Sequence, residues 1–329
     1  MGRVVCFGEV LLRLSAPGRE PLLLSHHIEA NFAGAEANAG VALARFGHAA
    51  RMVGVLPENA LGCAALEELR RHGLDTDGIQ FAPGRMGLYF FTHGAPYRPA
   101  QVLYDRAGSA FAVASADRFQ WPALLAGADW LHLTGITPAL SDAAAKATLQ
   151  AARYAREIGV RVSFDCNYRP ALWAGKEDKA ADLLGGICGQ ADLIFAQDRD
   201  IALILRADPS VSAGAAFRAF PNLQWIAATI LQDRADGHQD LSGALHSRKA
   251  RWTARTFALH SVVGRIGRGD AFAAGLLHGL MTDAPPQRSI DFAVAAACLK
   301  HSIPGDFLLA DVAGVEALLG EDTMVDVRR

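Results

Sequence analysis

A glycine-rich segment near the carboxyl end of the chain ends in a single carboxylate. Residues 264–270 read G-R-I-G-R-G-D and lead into an apolar, helix-like run. Such a loop places several backbone N–H groups at the start of a helix, where the helix dipole also favours negative charge. Asp270 would then face a bound phosphate, which suits a base that accepts a proton from an attacking hydroxyl. A glycine turn with Asp270 as a helix cap explains the segment alone equally well.

Two familiar phosphate-binding patterns are missing from the chain. It has no G-x-x-x-x-G-K-[ST] motif, which argues against a P-loop NTPase. The G-x-G-x-x-G pattern also fails, because Gly267 and Gly269 are followed by Phe272 where the third glycine should stand. A dehydrogenase is therefore the least favoured reading.

The charge and composition of the chain argue against several kinds of partner and location. The chain has 329 residues, with 32 Lys and Arg against 34 Asp and Glu, and a net charge of −2. This balance argues against nucleic acid or an anionic membrane as a partner, since both require a clustered basic surface. Five widely spaced cysteines without a C-x-x-C pair indicate reduced thiols. With no signal-peptide pattern at the first residues and no membrane-length apolar run, we expect a cytoplasmic protein.

Short apolar runs alternate with helical patterns along the chain. The predicted strands are Val4–Phe7, Arg51–Leu56, Trp130–Leu133, Val160–Phe164, Leu193–Ala196 and Gln224–Ile230. The predicted helices are Ala35–Phe46, Leu61–His72, Ser141–Ile158, about Asp178–Cys188, Asp270–Leu280 and Ser289–His301. Such alternation indicates a mostly parallel sheet covered on both faces. Two further strands, Met86–Phe91 and Gln101–Asp105, flank a turn at residues 94–96 and predict a small inserted β flap.

The order of the motifs resembles the ribokinase-like, or PfkB, family of carbohydrate kinases. The segment G-x-G-D followed by A-F-A-A-G resembles the family's C-terminal signature, and Gly8-Glu9, the A-G-A-E-A-N of residues 33–38, Gly54 and Gly62 follow in the family's order. The resemblance implies a three-layer α/β/α fold with a mostly parallel central sheet. It implies a single kinase domain over residues 1–329, with a lid formed by about residues 9–16 and 85–108.

Within that family the chain is most similar to the 2-keto-3-deoxygluconate kinases. The similarity lies in residues 87–90, 104–110, 165–169 with 172–173, and 299–306. Arg13 also stands where many neutral-sugar kinases of the family carry an aspartate, which fits an acidic substrate. The resemblance implies phosphorylation of a keto-deoxy sugar acid, 2-keto-3-deoxygluconate first, at O6.

The same segments suggest how such a substrate is bound. Arg106 and Arg169 can bind its carboxylate through charge-assisted hydrogen bonds, although an isolated arginine is more often a surface ion pair. Tyr89 and Tyr104 can pack on the carbon chain. The predicted substrate-binding residues are Gly34, Asn38, Tyr89, Tyr104, Arg106, Asn167 and Arg169.

On the phosphate side, the resemblance implies ATP as donor and Asp270 as the base. With an ordinary Asp pKa of ~3.9, Asp270 would be a weak base before the reaction begins. The amides of Gly267, Arg268 and Gly269 would form an anion hole. Mg²⁺ would bridge the phosphates, with Asp200 acting on it indirectly, and a monovalent cation is a further candidate. The predicted nucleotide-binding residues are Gln197, Thr229, Gly264 and Ile266. A homodimer or higher homo-oligomer through the lid is also implied.

The departures from the family pattern lie on the nucleotide side. The signature usually reads D-x-x-G-A-G-D, but Gly264 replaces its first Asp and Arg268 its Ala. The family's N-x-x-E element appears as residues 197–200, Q-D-R-D. Two alternatives therefore stay open: a kinase for another sugar such as fructose or ribose, and a catalytically weakened sugar-binding relative.

Overall fold

The structure is a computed structural model that describes residues 2–95, 97–208, 210, 213–235, 238–260 and 262–320. The strands within these ranges are β1 Arg3–Phe7, β2 Leu11–Ser15, β3 Glu29–Ala33, β4 Ala49–Pro57, β5 Asp75–Ala82, β6 Leu88–Thr92, β7 Gln101–Asp105, β8 Trp130–Thr134, β9 Arg161–Asp165, β10 Leu193–Phe195, β11 Trp225–Asp233, β12 Gln239–His246, β13 Arg251–Thr253 and β14 Phe257–Leu259. The helices are α1 Ala35–Arg45, α2 Ala60–Arg71, α3 Trp121–Leu124, α4 Asp142–Glu157, α5 Pro170–Trp173, α6 Glu177–Cys188, α7 Asp198–Leu205, α8 Ala213–Ala219, α9 Arg268–Met281, α10 Pro286–Lys300 and α11 Val312–Gly320.

A ten-stranded sheet forms the centre of the molecule, in the order β13-β12-β11-β10-β9-β8-β1-β4-β5 with β14 beside β12. The strands from β11 to β5 are parallel, and the β12 pairings are antiparallel. Every residue of β8 is buried, as expected of a parallel strand covered on both faces. The prediction of a mostly parallel sheet is confirmed.

Two apolar clusters fill the space between this sheet and its helices. One contains buried side chains of α1, α2, α9 and α10, and the other contains those of α4, α6, α7 and α8. Helices therefore cover both faces, which confirms the three-layer α/β/α arrangement. In the described ranges, no helix has the length and apolarity that a membrane crossing requires.

Local sequence signals set several helix ends. The side chain of Ser141 accepts a hydrogen bond from the backbone N–H of Ala144, as predicted for the N-cap of α4. Helix α9 begins at Arg268, two residues before the predicted start at Asp270, because Gly267 adopts the left-handed conformation and serves as its N-cap. The antiparallel strands β12–β14 were not predicted.

A second, four-stranded sheet lies across one end of the first, in the order β3-β2-β6-β7. Its strands β2, β6 and β7 correspond to the segments expected to form the lid, but β3 was missed. Buried side chains of this small sheet, including Tyr89 and Phe91, form an apolar cluster with Tyr104 and Ile266. Ile266, predicted to bind nucleotide, thus also packs against the small sheet. Pro96, in the predicted turn, lies outside the described residues.

Candidate active site

A cleft of about 1370 Å³ lies between the small sheet and the large one. Parallel strands present their carboxyl ends at this edge, which is where ligands bind in open α/β sheets. Every site residue predicted from the sequence lines this cleft: Gly34, Asn38, Tyr89, Tyr104, Arg106, Asn167, Arg169, Gln197, Asp200, Thr229, Gly264, Ile266, Gly267, Arg268, Gly269 and Asp270. The fold therefore brings together residues that lie far apart in the chain.

The first turn of α9 has the geometry of an anion-binding site. Gly267 has φ 75°, and a Cβ there would lie 2.0 Å from the carbonyl oxygen of Asp306, so only glycine fits. A Cβ on Gly269 would meet nothing within 4 Å. The fold does not require glycine at that position, and its missing side chain leaves room for a phosphate beside the first-turn amides. These N–H groups have no partner inside the helix.

Asp270 lies at the bottom of this turn and is partly buried. Burial raises its pKa to about 7, and the nearby carboxylates of Glu36 and Asp306 act in the same direction. A hydrogen bond from Asn38 and the charge of Arg169 oppose this rise. The expectation of a weak base with an ordinary pKa is therefore wrong, because a carboxyl group with a pKa near neutrality accepts a proton far more readily.

Asn38 holds the Asp270 carboxylate in place. Its Nδ2 donates to Asp270 Oδ2 at 2.7 Å, and its Oδ1 accepts from the backbone N–H of Gly34 at 3.4 Å. The amide that we expected to bind a sugar hydroxyl is thus already bonded to the base. Asn38 orients Asp270 and stabilises its ionised form.

The hydrogen bond from Asn38 leads to a prediction about pH dependence. Replacing Asn38 with Ala removes a donor that lowers the Asp270 pKa, so that pKa should rise above its present value. Because only ionised Asp270 accepts a proton, the acidic limb of kcat/KM should move to higher pH. A pH–rate profile measures this shift, and Asn222→Ala, which removes an exposed asparagine remote from the cleft, is the control. An unmoved limb would contradict the role of Asn38.

Arg106 has a different environment from the one predicted. Its Nη2 lies 2.7 Å from Glu9 Oε2, and its Nε donates to the same oxygen at 2.8 Å. The two side chains are only 6% and 1% exposed. The charge of Arg106 is therefore already neutralised inside the protein. Arg169 is exposed, and it has no acidic partner within 4 Å in the described ranges. Of the two arginines predicted to bind the substrate carboxylate, it is therefore the one whose charge is available to a ligand.

Asp306 is a cleft residue to which the sequence analysis gave no role. Arg13 Nε donates to its Oδ2 at 2.7 Å, and the Tyr89 hydroxyl donates to its Oδ1 at 2.5 Å. Asp306 thus places a carboxylate beside Arg13, and the two side chains form a buried ion pair. The inference from Arg13 to an acidic substrate stays a prediction. The only signal for Asp306 in the sequence was its place at the end of the segment 299–306.

Asp165 is a second residue that the sequence analysis missed. It ends β9 at the carboxyl edge of the sheet and accepts a hydrogen bond from the backbone N–H of Asn167 at 2.9 Å. Burial and then the charge of Asp270 raise its pKa to about 7. Asn167 itself has a left-handed φ of 36°. A carboxylate directly after a buried parallel strand was the available signal.

On the opposite side of the cleft, Gln197 and Asp200 stabilise the start of α7. Gln197 Nε2 donates to the carbonyl oxygen of Thr229 at 2.9 Å, and Asp200 Oδ2 accepts from the Gln197 N–H at 2.9 Å. The other oxygen of Asp200 is buried without a hydrogen-bond donor in the described ranges, and Arg199 Nε lies 3.7 Å from it. No cluster of three metal-ligating side chains occurs in the part of the chain that the structure describes. Its oxygen without a hydrogen bond makes Asp200 a residue that could contact a Mg²⁺ ion or the water bound to one.

The chain matches a known protein family over most of its length. The profile of the pfkB family carbohydrate kinases matches residues 1–306. The chain belongs to this family. It is thus a carbohydrate kinase, and the resemblance seen in its motifs is confirmed.

Individual relatives of this kinase cover nearly its whole length. It is 31% identical to a 2-dehydro-3-deoxygalactonokinase of Haloferax volcanii, over 98% of both chains. It is 29% identical to a 2-dehydro-3-deoxygluconokinase of Thermoproteus tenax, over 92% of this chain and 89% of that one. Among solved structures, a 2-dehydro-3-deoxygluconokinase from Thermotoga maritima superposes with a TM-score of 0.91 at 34% identity, covering 97% of this chain and 98% of that one.

Proposed function

We propose that this kinase transfers the γ-phosphoryl group of ATP to O6 of a 2-keto-3-deoxy sugar acid. The observation that carries the proposal is the position of Arg169, an exposed arginine without an ion pair in the described ranges, on the same cleft as Asp270 and the first turn of α9. A substrate carboxylate at Arg169 would orient the sugar with its hydroxyl chain directed inward. The activities named for the relatives of this chain support the same substrate class.

Asp270 accepts the proton of the attacking hydroxyl in this reaction. A bond forms between the sugar oxygen and the γ-phosphorus as the bond from that phosphorus to the β–γ bridging oxygen breaks. The electron pair of the broken bond leaves with the β-phosphate. Backbone amides of the anion hole, Gly267 to Gly269, stabilise the charge on the transferred group.

The proposal also includes two cations, Mg²⁺ and a monovalent ion. Mg²⁺ bound to the phosphates would supply further charge neutralisation, and Asp200 is suited to hold one of its water molecules. The monovalent cation stays a prediction. Beside Gly267 the structure already has an internal cation, since the buried ammonium of Lys300 donates to the carbonyl oxygens of Ile303 at 2.8 Å and Gly305 at 2.9 Å.

A panel of sugars with ATP and Mg²⁺ tests the substrate class. The panel contains 2-keto-3-deoxygluconate, its C4 epimer 2-keto-3-deoxygalactonate, fructose and ribose, because the named relatives divide between the two epimers. We expect kcat/KM for a sugar acid to exceed that for either neutral sugar by about tenfold or more, since only the acids engage Arg169. Mass spectrometry and phosphorus NMR identify the product. Preference for a neutral sugar would overturn the assignment, and sugar-acid binding without turnover would favour the weakened relative.

We further propose that two copies of the chain associate through the small sheet. Val102 and Leu103 on β7 are 46% and 66% exposed, and Leu23, in a short turn that contacts β6, is 94% exposed. Exposed apolar side chains on an edge strand favour pairing with a second surface. A cytoplasmic location likewise stays a prediction, made from the cysteine pattern.

Placing a charge on this edge should dissociate the dimer. Leu103→Glu buries an unpaired carboxylate if the interface forms there, so sedimentation velocity should show the variant as a monomer at concentrations where the parent chain is a dimer. Leu231→Glu is the matched control, because Leu231 is an exposed leucine of the large sheet. A Leu103→Glu variant that stays dimeric would place the interface elsewhere, and a monomeric parent chain would exclude it.

A further inference from the structure

Among the residues that the structure describes, the guanidinium of Arg268 has no hydrogen-bond or ion-pair partner. Arg268 is the first residue of α9 and lines the cleft, and its Nε is buried without a hydrogen-bond acceptor. None of the ion pairs found in the described ranges includes it. A half-buried cation without an acceptor is costly unless a ligand provides one.

The surroundings of Arg268 are positive as well. Burial lowers its pKa, and the charges of Arg265 and Arg169 lower it further. Burial and then the charge of Arg268 lower the pKa of His301 to about 4, and its Nε2 is also buried without a hydrogen-bond partner in the described ranges. His301 Nδ1 is 3.1 Å from the carbonyl oxygen of Gly264. In the described ranges, no carboxylate lies within 4 Å of Arg268, and the charges that act on its pKa are those of other arginines.

The backbone at position 264 does not require glycine and leaves room for an acidic side chain. Gly264 stands where the family signature usually has Asp, and Arg268 where it usually has Ala. A Cβ at Gly264 would meet only the carbonyl oxygen of Ile303 at 3.6 Å, so an Asp would fit. We expect the two exchanges to act together, because an acid at position 264 would offer the Arg268 guanidinium an internal counter-ion.

We propose that Arg268, left unpaired by Gly264, binds the phosphate chain of the nucleotide and neutralises charge that develops during transfer. The inference rests on the proposed function and deepens its nucleotide site. As the bond to the β–γ bridging oxygen breaks, that oxygen takes the electron pair, and a guanidinium is suited to bind it and the oxygens of the transferred group. Nucleotide binding should then depend less on Mg²⁺ than in a kinase with the usual signature.

Arg268→Ala, which restores the usual residue, tests this directly. Calorimetry should show ADP binding weakened by about tenfold or more without Mg²⁺, and less with Mg²⁺ present, because the ion then supplies part of the charge. The KM of the sugar should stay unchanged. Arg153→Ala is the control, since it removes the same charge from an exposed position on α4 outside the cleft.

Gly264→Asp provides a second test that leaves Arg268 in place. The new carboxylate should pair with the guanidinium and weaken ADP binding in the same way, and adding Arg268→Ala should then cause little further loss. Unchanged ADP affinity in Arg268→Ala, or faster turnover, would show that Arg268 only crowds the loop and would overturn the inference. ADP binding needs no sugar turnover. A chain that binds ADP through Arg268 but phosphorylates no sugar acid would therefore overturn the proposed function alone.

Discussion

Asp270→Asn should lower kcat by a factor of about 10² to 10⁴, the usual contribution of a positioned base. Asparagine keeps the shape of the side chain, and its Oδ1 can still accept the hydrogen bond from Asn38. The variant should therefore fold and bind the sugar nearly as well as the parent chain. A coupled ADP-release assay measures the rate, and calorimetry measures sugar affinity.

Asp165→Asn is the informative comparison for this variant. Asp165 is the other cleft carboxylate whose pKa is raised to about 7, so a pH profile alone cannot assign the titrating group. Only Asp270 lies in the first turn of α9, beside the amides that would hold the phosphoryl group. We expect Asp165→Asn to lose much less of kcat. The reverse order of effects would identify Asp165 as the base.

The sequence was sufficient to predict six of the parallel strands of the central sheet, six of the helices that cover it, and a set of residues that all line the cleft. Buried parallel strands and amphipathic helices have strong local periodicity, and the left-handed turn at Gly267 has a local signal in the glycine itself. Strand β3 was missed because Glu29–Ala33 has mostly exposed or half-exposed residues and no buried run. Pairing with β2 stabilises this strand, whose own residues do not have a strand-like pattern.

What the sequence could not predict is the pairing of side chains across the cleft. Glu9 and Arg106 are 97 residues apart in the chain, and Arg13 and Asp306 are 293 apart. Neither contact has a local signal, yet each determines whether a charge remains free for a ligand. The pKa of Asp270 likewise depends on burial and on Asn38, Glu36 and Asp306, which only the tertiary fold brings together.

These ion pairs distinguish Arg106 from Arg169, although the sequence predicted the same role for both. Arg106→Ala would leave Glu9 buried without its partner, a change that typically costs about 3–5 kcal/mol of stability. Loss of activity in that variant would thus not report on the substrate. A thermal melt should show the difference, with a clear decrease in Tm for Arg106→Ala and almost none for the exposed Arg169→Ala.

Arg169→Ala is therefore the sharper test of a sugar-acid substrate. Losing a charge-assisted contact should raise KM for the acid by about 10- to 100-fold, and it should leave KM for a neutral sugar such as fructose nearly unchanged. Because Arg169 also lowers the Asp270 pKa, its removal should raise that pKa and move the acidic limb upward. Kinetics measured at a pH well above this acidic limb isolate the effect of the substitution on substrate binding. Equal losses for acid and neutral sugars there would mean that Arg169 does not bind the carboxylate.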